Sequence, residues 1–123
     1  MAVVLIVEDD LFILEMARIQ IEEFGHVTLR ASDVNGASAI LRSKQPIDVL
    51  FTDINLKSSV LGGCELGSLA IRLRPQIGVI YGTGNIITDA MKATFVDGAV
   101  LLRKPYTQDQ LQSALARLLL APV

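Results

Sequence analysis

Ile47-Asp48-Val49-Leu50-Phe51-Thr52-Asp53 is an apolar run, broken only by Asp48, that ends on a carboxylate. Aliphatic and aromatic residues in succession, without the polar alternation of a one-sided sheet, read as a strand covered on both faces, the kind found in parallel sheets. Asp53 then stands where the strand leaves the core, and a charge in that position is costly unless something uses it. Two more runs share this form. Val3-Val4-Leu5-Ile6-Val7 leads into Glu8-Asp9-Asp10, and Ala99-Val100-Leu101-Leu102 leads into Arg103-Lys104-Pro105. Acids and a lysine therefore collect at strand ends.

Working outward, apolar runs alternate with segments of helical period, which is the pattern of a parallel sheet wrapped by helices. Strands are expected at about 3–7, 27–31, 49–52, 77–81 and 99–102. The first helix is expected over 10–23, with Ile13, Ala17, Ile21 and Phe24 as its core stripe and Gly25 closing it in the left-handed conformation. The second spans 34–43 and stops before Pro46, and the third spans 65–73 and is closed by Pro75. A fourth is expected within 85–95, with Asp97-Gly98 as its exit turn, and a fifth starts at Thr107, whose hydroxyl can cap the amide of Gln110.

The 123 residues suit one domain, 1–123, able to bury roughly two thirds of its unfolded surface. A chain that is 51% hydrophobic, 20% charged and of net charge -2 is neither disordered nor a phosphate-backbone binder, so direct contact with nucleic acid is not expected. One cysteine, Cys64, and one histidine, His26, exclude an internal disulfide and a His/Cys zinc cage, which usually takes about four ligands. No basic leader precedes the first strand, and no apolar run approaches the ~20 residues that span a bilayer. A cytoplasmic setting without membrane contact is the expectation.

In an open parallel sheet, function gathers at the carboxyl ends of the strands, where strand order reverses. Glu8, Asp9 and Asp53 offer hard oxygens without nitrogen or sulfur, which suits Mg²⁺. Asn55, two residues beyond Asp53, is placed to add a backbone carbonyl. Lys104 brings a positive charge to the same edge, and Thr83, in Tyr81-Gly82-Thr83-Gly84, adds a hydroxyl. Carboxylate, metal, ammonium and hydroxyl together describe phosphoryl transfer to an aspartate, with metal and lysine neutralising the charge on the transferring group. Asp10 reads as a cap of the first helix rather than a ligand.

With these residues in this order, the chain resembles a response-regulator receiver domain of two-component signalling, of the stand-alone type, over essentially its whole length. The resemblance implies an α/β fold, a five-stranded parallel sheet in a flavodoxin-like (βα)5 three-layer sandwich with strand order 2-1-3-4-5. It implies Asp53 as phosphoacceptor, Asp9 as a direct Mg²⁺ ligand, Glu8 as a ligand through water and Asn55 as a backbone-carbonyl ligand. Thr83 and Lys104 would hold the phosphoryl oxygens, and the Lys104–Pro105 peptide would be cis. Such a domain catalyses only its own phosphotransfer and dephosphorylation. The implied partners are a histidine kinase or histidine phosphotransfer protein and an unidentified output protein. The chain would be a monomer or a phosphorylation-dependent homodimer.

Departures from the family pattern accompany the match. Leu101 stands where a receiver carries its switch aromatic, so the readout is expected to rely on the Thr83 loop and fourth helix. Lys57 replaces a frequent proline, and the run Ser58-Ser59-Val60-Leu61-Gly62-Gly63 reads as a long loop able to gate the site. Phe12, Met16 and Ile19 form a second apolar stripe on the first helix, either packed on the fifth helix or free for a partner; Leu118-Leu119-Leu120 carries the same two readings. Leu101 leaves open a pseudo-receiver that docks partners without phosphorylation. A flavodoxin-like cofactor binder shares the fold class, but Glu8-Asp9-Asp10 would repel a flavin phosphate.

Overall fold

The computed structural model describes residues 1–56 and 61–119. Among them run β1 (Val3–Val7), α1 (Leu11–Glu23), β2 (Val27–Ala31), α2 (Val34–Arg42), β3 (Val49–Asp53), α3 (Gly62–Leu73), β4 (Gly78–Thr83), α4 (Asp89–Lys92), β5 (Val100–Arg103) and α5 (Gln108–Leu119). The strands form one parallel sheet in the order β2-β1-β3-β4-β5. Strand order reverses between β1 and β3, so the carboxyl ends of those two strands form the floor of a crevice.

Alternation along each strand divides the core in two. Leu5, Val7, Leu50, Val79 and Tyr81 face a layer that includes Ala37 and Leu41 of α2 with Leu66 and Ala70 of α3. Val4, Ile6, Val49, Phe51, Ile80 and Leu102 face Leu14, Ala17 and Ile21 of α1 and Leu111, Ala114 and Leu115 of α5. Helices thus cover both faces, as the unbroken apolar strands require.

Local chemistry sets the helix ends. Asp10 Oδ1 accepts from the amides of Phe12 and Ile13 at 3.0 and 3.2 Å, which makes it the N-cap of α1. Gly25, at φ +94°, turns the chain from α1 toward β2. The Thr107 hydroxyl accepts from the Gln110 amide at 3.1 Å while the Gln110 side chain accepts from the Thr107 amide at 2.9 Å, a reciprocal capping box.

Several boundaries depart from the sequence reading. The fourth helix lies within 85–95 as expected, but it is a single turn, Asp89–Lys92. Thr88 Oγ1 caps the Met91 amide at 3.1 Å, and Thr94 Oγ1 donates to the Met91 carbonyl at 2.6 Å, so side-chain hydroxyls take over backbone groups at both ends. Ile86, which a longer helix would need as an anchor, is 85% exposed. α3 begins at Gly62, so Gly62 and Gly63 belong to a helix and not to the expected loop. Lys57 and Ser58-Ser59-Val60 of that loop, and Leu120 at the end of the chain, lie outside the described residues. On α1, Leu14 replaces Ile13 in the buried stripe, since Leu14, Ala17 and Ile21 are buried whereas Ile13 and Phe24 are half-buried. Phe12, Met16 and Ile19 are exposed, so this second stripe of α1 is largely uncovered.

Candidate functional site

The ends of the adjacent strands β1 and β3, together with the residue that follows β5 beyond β4, surround one polar cluster. Glu8, immediately beyond β1, is buried and donates its amide to the Ala31 carbonyl at 3.2 Å, continuing the β1–β2 ladder by one bond. Asp53 is the last residue of β3, half-buried, in register with Gly82 of β4. Lys104 follows β5 and reaches back across the sheet edge. Its Nζ lies 2.8 Å from Glu8 Oε2 and 3.3 Å from Asp53 Oδ2. Carboxylate oxygens of Glu8, Asp9 and Asp53 all lie within 4.8 Å of one another, so a single ion could touch all three.

Thr83 ends β4 inside the strand rather than after it, and is buried. Its Oγ1 accepts from the Asn85 amide at 3.1 Å, and its carbonyl accepts from the Lys104 amide at 2.8 Å, which ties the ends of β4 and β5 together. The backbone of Asn55, close to the Asp53 carboxylate, favours its charged form. The Lys104–Pro105 peptide is cis. Glu8, Asp9, Asp53, Asn55, Thr83 and Lys104 therefore share one sheet edge. Leu101 does not belong to this cluster; it is half-buried in the α2/α3 layer beside Tyr81. His26 sits far from it, with Nδ1 accepting from the Ala2 amide at 3.1 Å.

Burial pushes the Asp53 carboxyl above its usual range; the charge and hydrogen bond of Lys104 offset this only in part, and the neighbouring Asp9 charge adds to it. Glu8 is raised for the same reason, with Lys104 opposing and Asp53 adding. Burial works against the Lys104 charge, yet its bond to Glu8 and the Asp53 charge hold its proton more tightly than usual. The site is thus a net-negative, half-buried pocket with one cation between two acids, which favours an added positive ion.

A carboxyl whose folded pKa lies above its unfolded value binds protons more tightly in the folded state, so stability is lost as pH rises from the ordinary value through the folded one. Asp53→Asn removes that titration. In EDTA the variant is expected to be more stable than wild type by about 1 kcal/mol at neutral pH, the difference shrinking toward zero as pH falls to about 4. Urea midpoints at several pH values check this, and a difference that does not change with pH would contradict it.

Two aromatic residues of the site region were not singled out from the sequence. Tyr106 makes an edge contact with Phe51 (5.9 Å, 62°), and burial, with the charges of Glu8 and Asp53, pushes its phenol up to about 12. With Phe12, Ile13, Met16 and Gln20 of α1, and with Lys104 and Pro105, it lines an open groove of about 410 Å³. Its position two residues after the lysine was the available signal. Tyr81 is fully buried on β4 and stacks on Phe95 (4.7 Å, 28°). An aromatic two residues before Thr83 places both on one side of the strand, which could have marked it.

The family model described as response regulator receiver domain matches residues 4–116. The nitrogen assimilation regulatory protein NtrX of Azorhizobium caulinodans is 30% identical over 109 residues, covering 88% of this chain and 24% of that protein. The chain thus spans about a quarter of the length of that curated relative. Among solved structures, a response regulator receiver protein from Sinorhizobium medicae superposes with TM-score 0.90 at 24% identity, covering 98% of this chain and 95% of the other. A response regulator receiver domain protein from Clostridium thermocellum superposes with TM-score 0.82 at 28% identity, covering 96% and 94%. The sheet order, the acidic cluster at the strand ends and the match over 4–116 agree: this chain belongs to the response regulator receiver domain family.

Proposed function

We propose that Asp53 accepts a phosphoryl group from a phosphohistidine on a sensor kinase or phosphotransfer protein, and that the modified domain signals through protein contacts. The observation that carries this reading is the placement of Lys104 Nζ between Glu8 and Asp53 with the Asp9 carboxylate alongside. In the transfer, a carboxylate oxygen of Asp53 forms a bond to phosphorus as the bond from phosphorus to the imidazole nitrogen breaks, and the imidazole keeps the electron pair. Lys104 can pair with a phosphoryl oxygen once the Asp53 oxygen it faces has become part of the acyl phosphate. Thr83 can turn its hydroxyl proton toward the same group while its oxygen keeps the Asn85 amide.

The donor set fits Mg²⁺: Glu8, Asp9 and Asp53 contribute carboxylate oxygens only, and Asn55, two residues past Asp53 in the sequence, could add its backbone carbonyl. These four residues would hold the ion, which supplies positive charge to the phosphoryl oxygens during transfer. The exposed Phe12 and Met16, with Tyr106, offer apolar surface beside the opening to a partner that presents the phosphohistidine. Catalysis is confined to the domain's own phosphorylation and dephosphorylation. The setting we infer is the cytoplasm; among the described residues no helix is long and apolar enough to cross a membrane.

Incubation with Mg²⁺ and a small phosphodonor such as acetyl phosphate, followed by intact-mass measurement, is expected to show one added phosphoryl group that Asp53→Asn abolishes. Absence of label at saturating donor would instead favour a domain that docks partners without phosphorylation. Label that survives the substitution would move the acceptor elsewhere.

A further inference from the structure

The chain from Gly84 to Ala99 carries little regular structure, and its two ends are hung on one strand. At its head, the Asn85 amide donates to Thr83 Oγ1 at 3.1 Å. At its tail, the Val96 amide donates to Tyr81 Oη at 3.2 Å, and the Phe95 ring stacks on the Tyr81 ring. Between these points lie the single turn of α4 and a run in which Asn85, Ile86, Thr88, Asp89 and Ala90 are exposed. Met91, Phe95, Val96 and Ala99 of this segment pack against the core, each only half-buried, and a segment held by partly buried side chains opens locally at lower cost than the sheet.

Tyr81 itself has no room to move. It is fully buried, and α3 passes so close that a Cβ on Gly67 would stand 2.2 Å from its hydroxyl oxygen. Leu101 of β5 is its register neighbour and carries no polar group that could replace the phenol as an acceptor for the 95–96 turn. The ring is a fixed post, whereas the segment attached to it has freedom.

We propose that Tyr81 is the latch through which the state of Asp53 is read at the turn before β5: when Thr83 is drawn to the phosphoryl group, the segment's head moves with it, and Val96 and Phe95 let go of Tyr81. This rests on the phosphoacceptor reading above. It assigns the readout to a buried β4 aromatic and a mobile turn, with residue 101 as packing. Release exposes the Phe95 ring and the Val96 amide on the surface beside β5, where an output protein can meet them.

The test is amide hydrogen exchange of the full chain, followed by NMR with and without acetyl phosphate and Mg²⁺, with intact mass read on the same samples. In wild type the Val96 amide is expected to exchange about fivefold faster or more after phosphorylation, the range set by losing one hydrogen bond. In Tyr81→Phe, which keeps the ring and removes the acceptor, fast Val96 exchange is expected already without donor, with little further change on adding it and with Asp53 still labelled. Phe95→Leu, at the half-buried partner ring, is expected to weaken the latch in the same direction and guards against a misfolded Tyr81 variant. Labelled wild type with Val96 unchanged or slower, or a Tyr81→Phe variant that responds as wild type does, would overturn the latch alone. Protein that gains no mass would overturn the phosphoacceptor reading and the latch with it.

Discussion

Gly63→Ala is expected to destabilise the protein by about 3 kcal/mol and to weaken the site at the same time. α3 starts against the end of β3, and a Cβ on Gly63 would stand 2.0 Å from the Asp53 carbonyl oxygen, 2.7 Å from Ile54 Cα and 2.8 Å from the Asp53 carbonyl carbon. All three atoms are backbone, so no side-chain rotation can relieve the contact. The helix would have to withdraw, breaking the 2.9 Å bond from the Gly63 amide to the Ile54 carbonyl, or β3 would have to give way at Asp53. The second route displaces the carboxylate from Lys104 and Asp9. Urea unfolding measures the first effect, and Mg²⁺-dependent stabilisation of the same variant measures the second. A midpoint equal to that of wild type would mean that the β3–α3 junction has slack the geometry does not show.

The same junction marks what was legible in the sequence. Apolar runs with both faces buried announced the strands, because Val4 and Ile6 pack on one layer while Leu5 and Val7 pack on the other. Acids that follow such runs announced the site, since a charged group at the end of a buried strand is tolerated where partners meet it. In the sequence, Gly63 reads as the end of a long loop. What decides its place is a contact with the Asp53 carbonyl, and a tertiary contact leaves no local trace. The shortness of α4 within 85–95 has a related reason. Met91 and Phe95 have the helical spacing, but the hydroxyls of Thr88 and Thr94 end the turn on both sides. Asp10 was readable because capping acts within three residues, and its bonds to the amides of residues 12 and 13 are local chemistry. Phe12 and Met16 were ambiguous because an apolar stripe carries no statement of what covers it; the fold turns them toward the groove beside Lys104. Tyr81 shows the opposite limit. Its burial was visible in the strand pattern, whereas its stack on Phe95 depends on how the chain returns from α4.

Lys104→Ala is the substitution with the largest expected effect on chemistry. Its ammonium is the cation shared by Glu8 and Asp53, at 2.8 and 3.3 Å, and without it two carboxylates and the nearby Asp9 face one another across less than 5 Å of partly buried space. Both acids, already raised by burial, are expected to rise further. The direction of the stability change follows. Where the acids are ionised the variant bears uncompensated charge and loses about 2 kcal/mol relative to wild type. As pH falls through their raised pKa values they become neutral, and the difference disappears. Added Mg²⁺ opposes the loss, since it supplies positive charge to the same oxygens and has no ammonium to compete with. The stabilisation of the variant by Mg²⁺ is therefore expected to exceed that of wild type even though its labelling is slower. Loss of one donor to the transferring group is expected to slow phosphoryl uptake by about a hundredfold. Time courses of intact mass with acetyl phosphate give the rate, and thermal melts over a Mg²⁺ series give the affinity. A variant labelled at the wild-type rate would remove Lys104 from the transfer step, and one stabilised less than wild type by Mg²⁺ would show that the lysine supports the acidic cluster rather than competing with the ion for it.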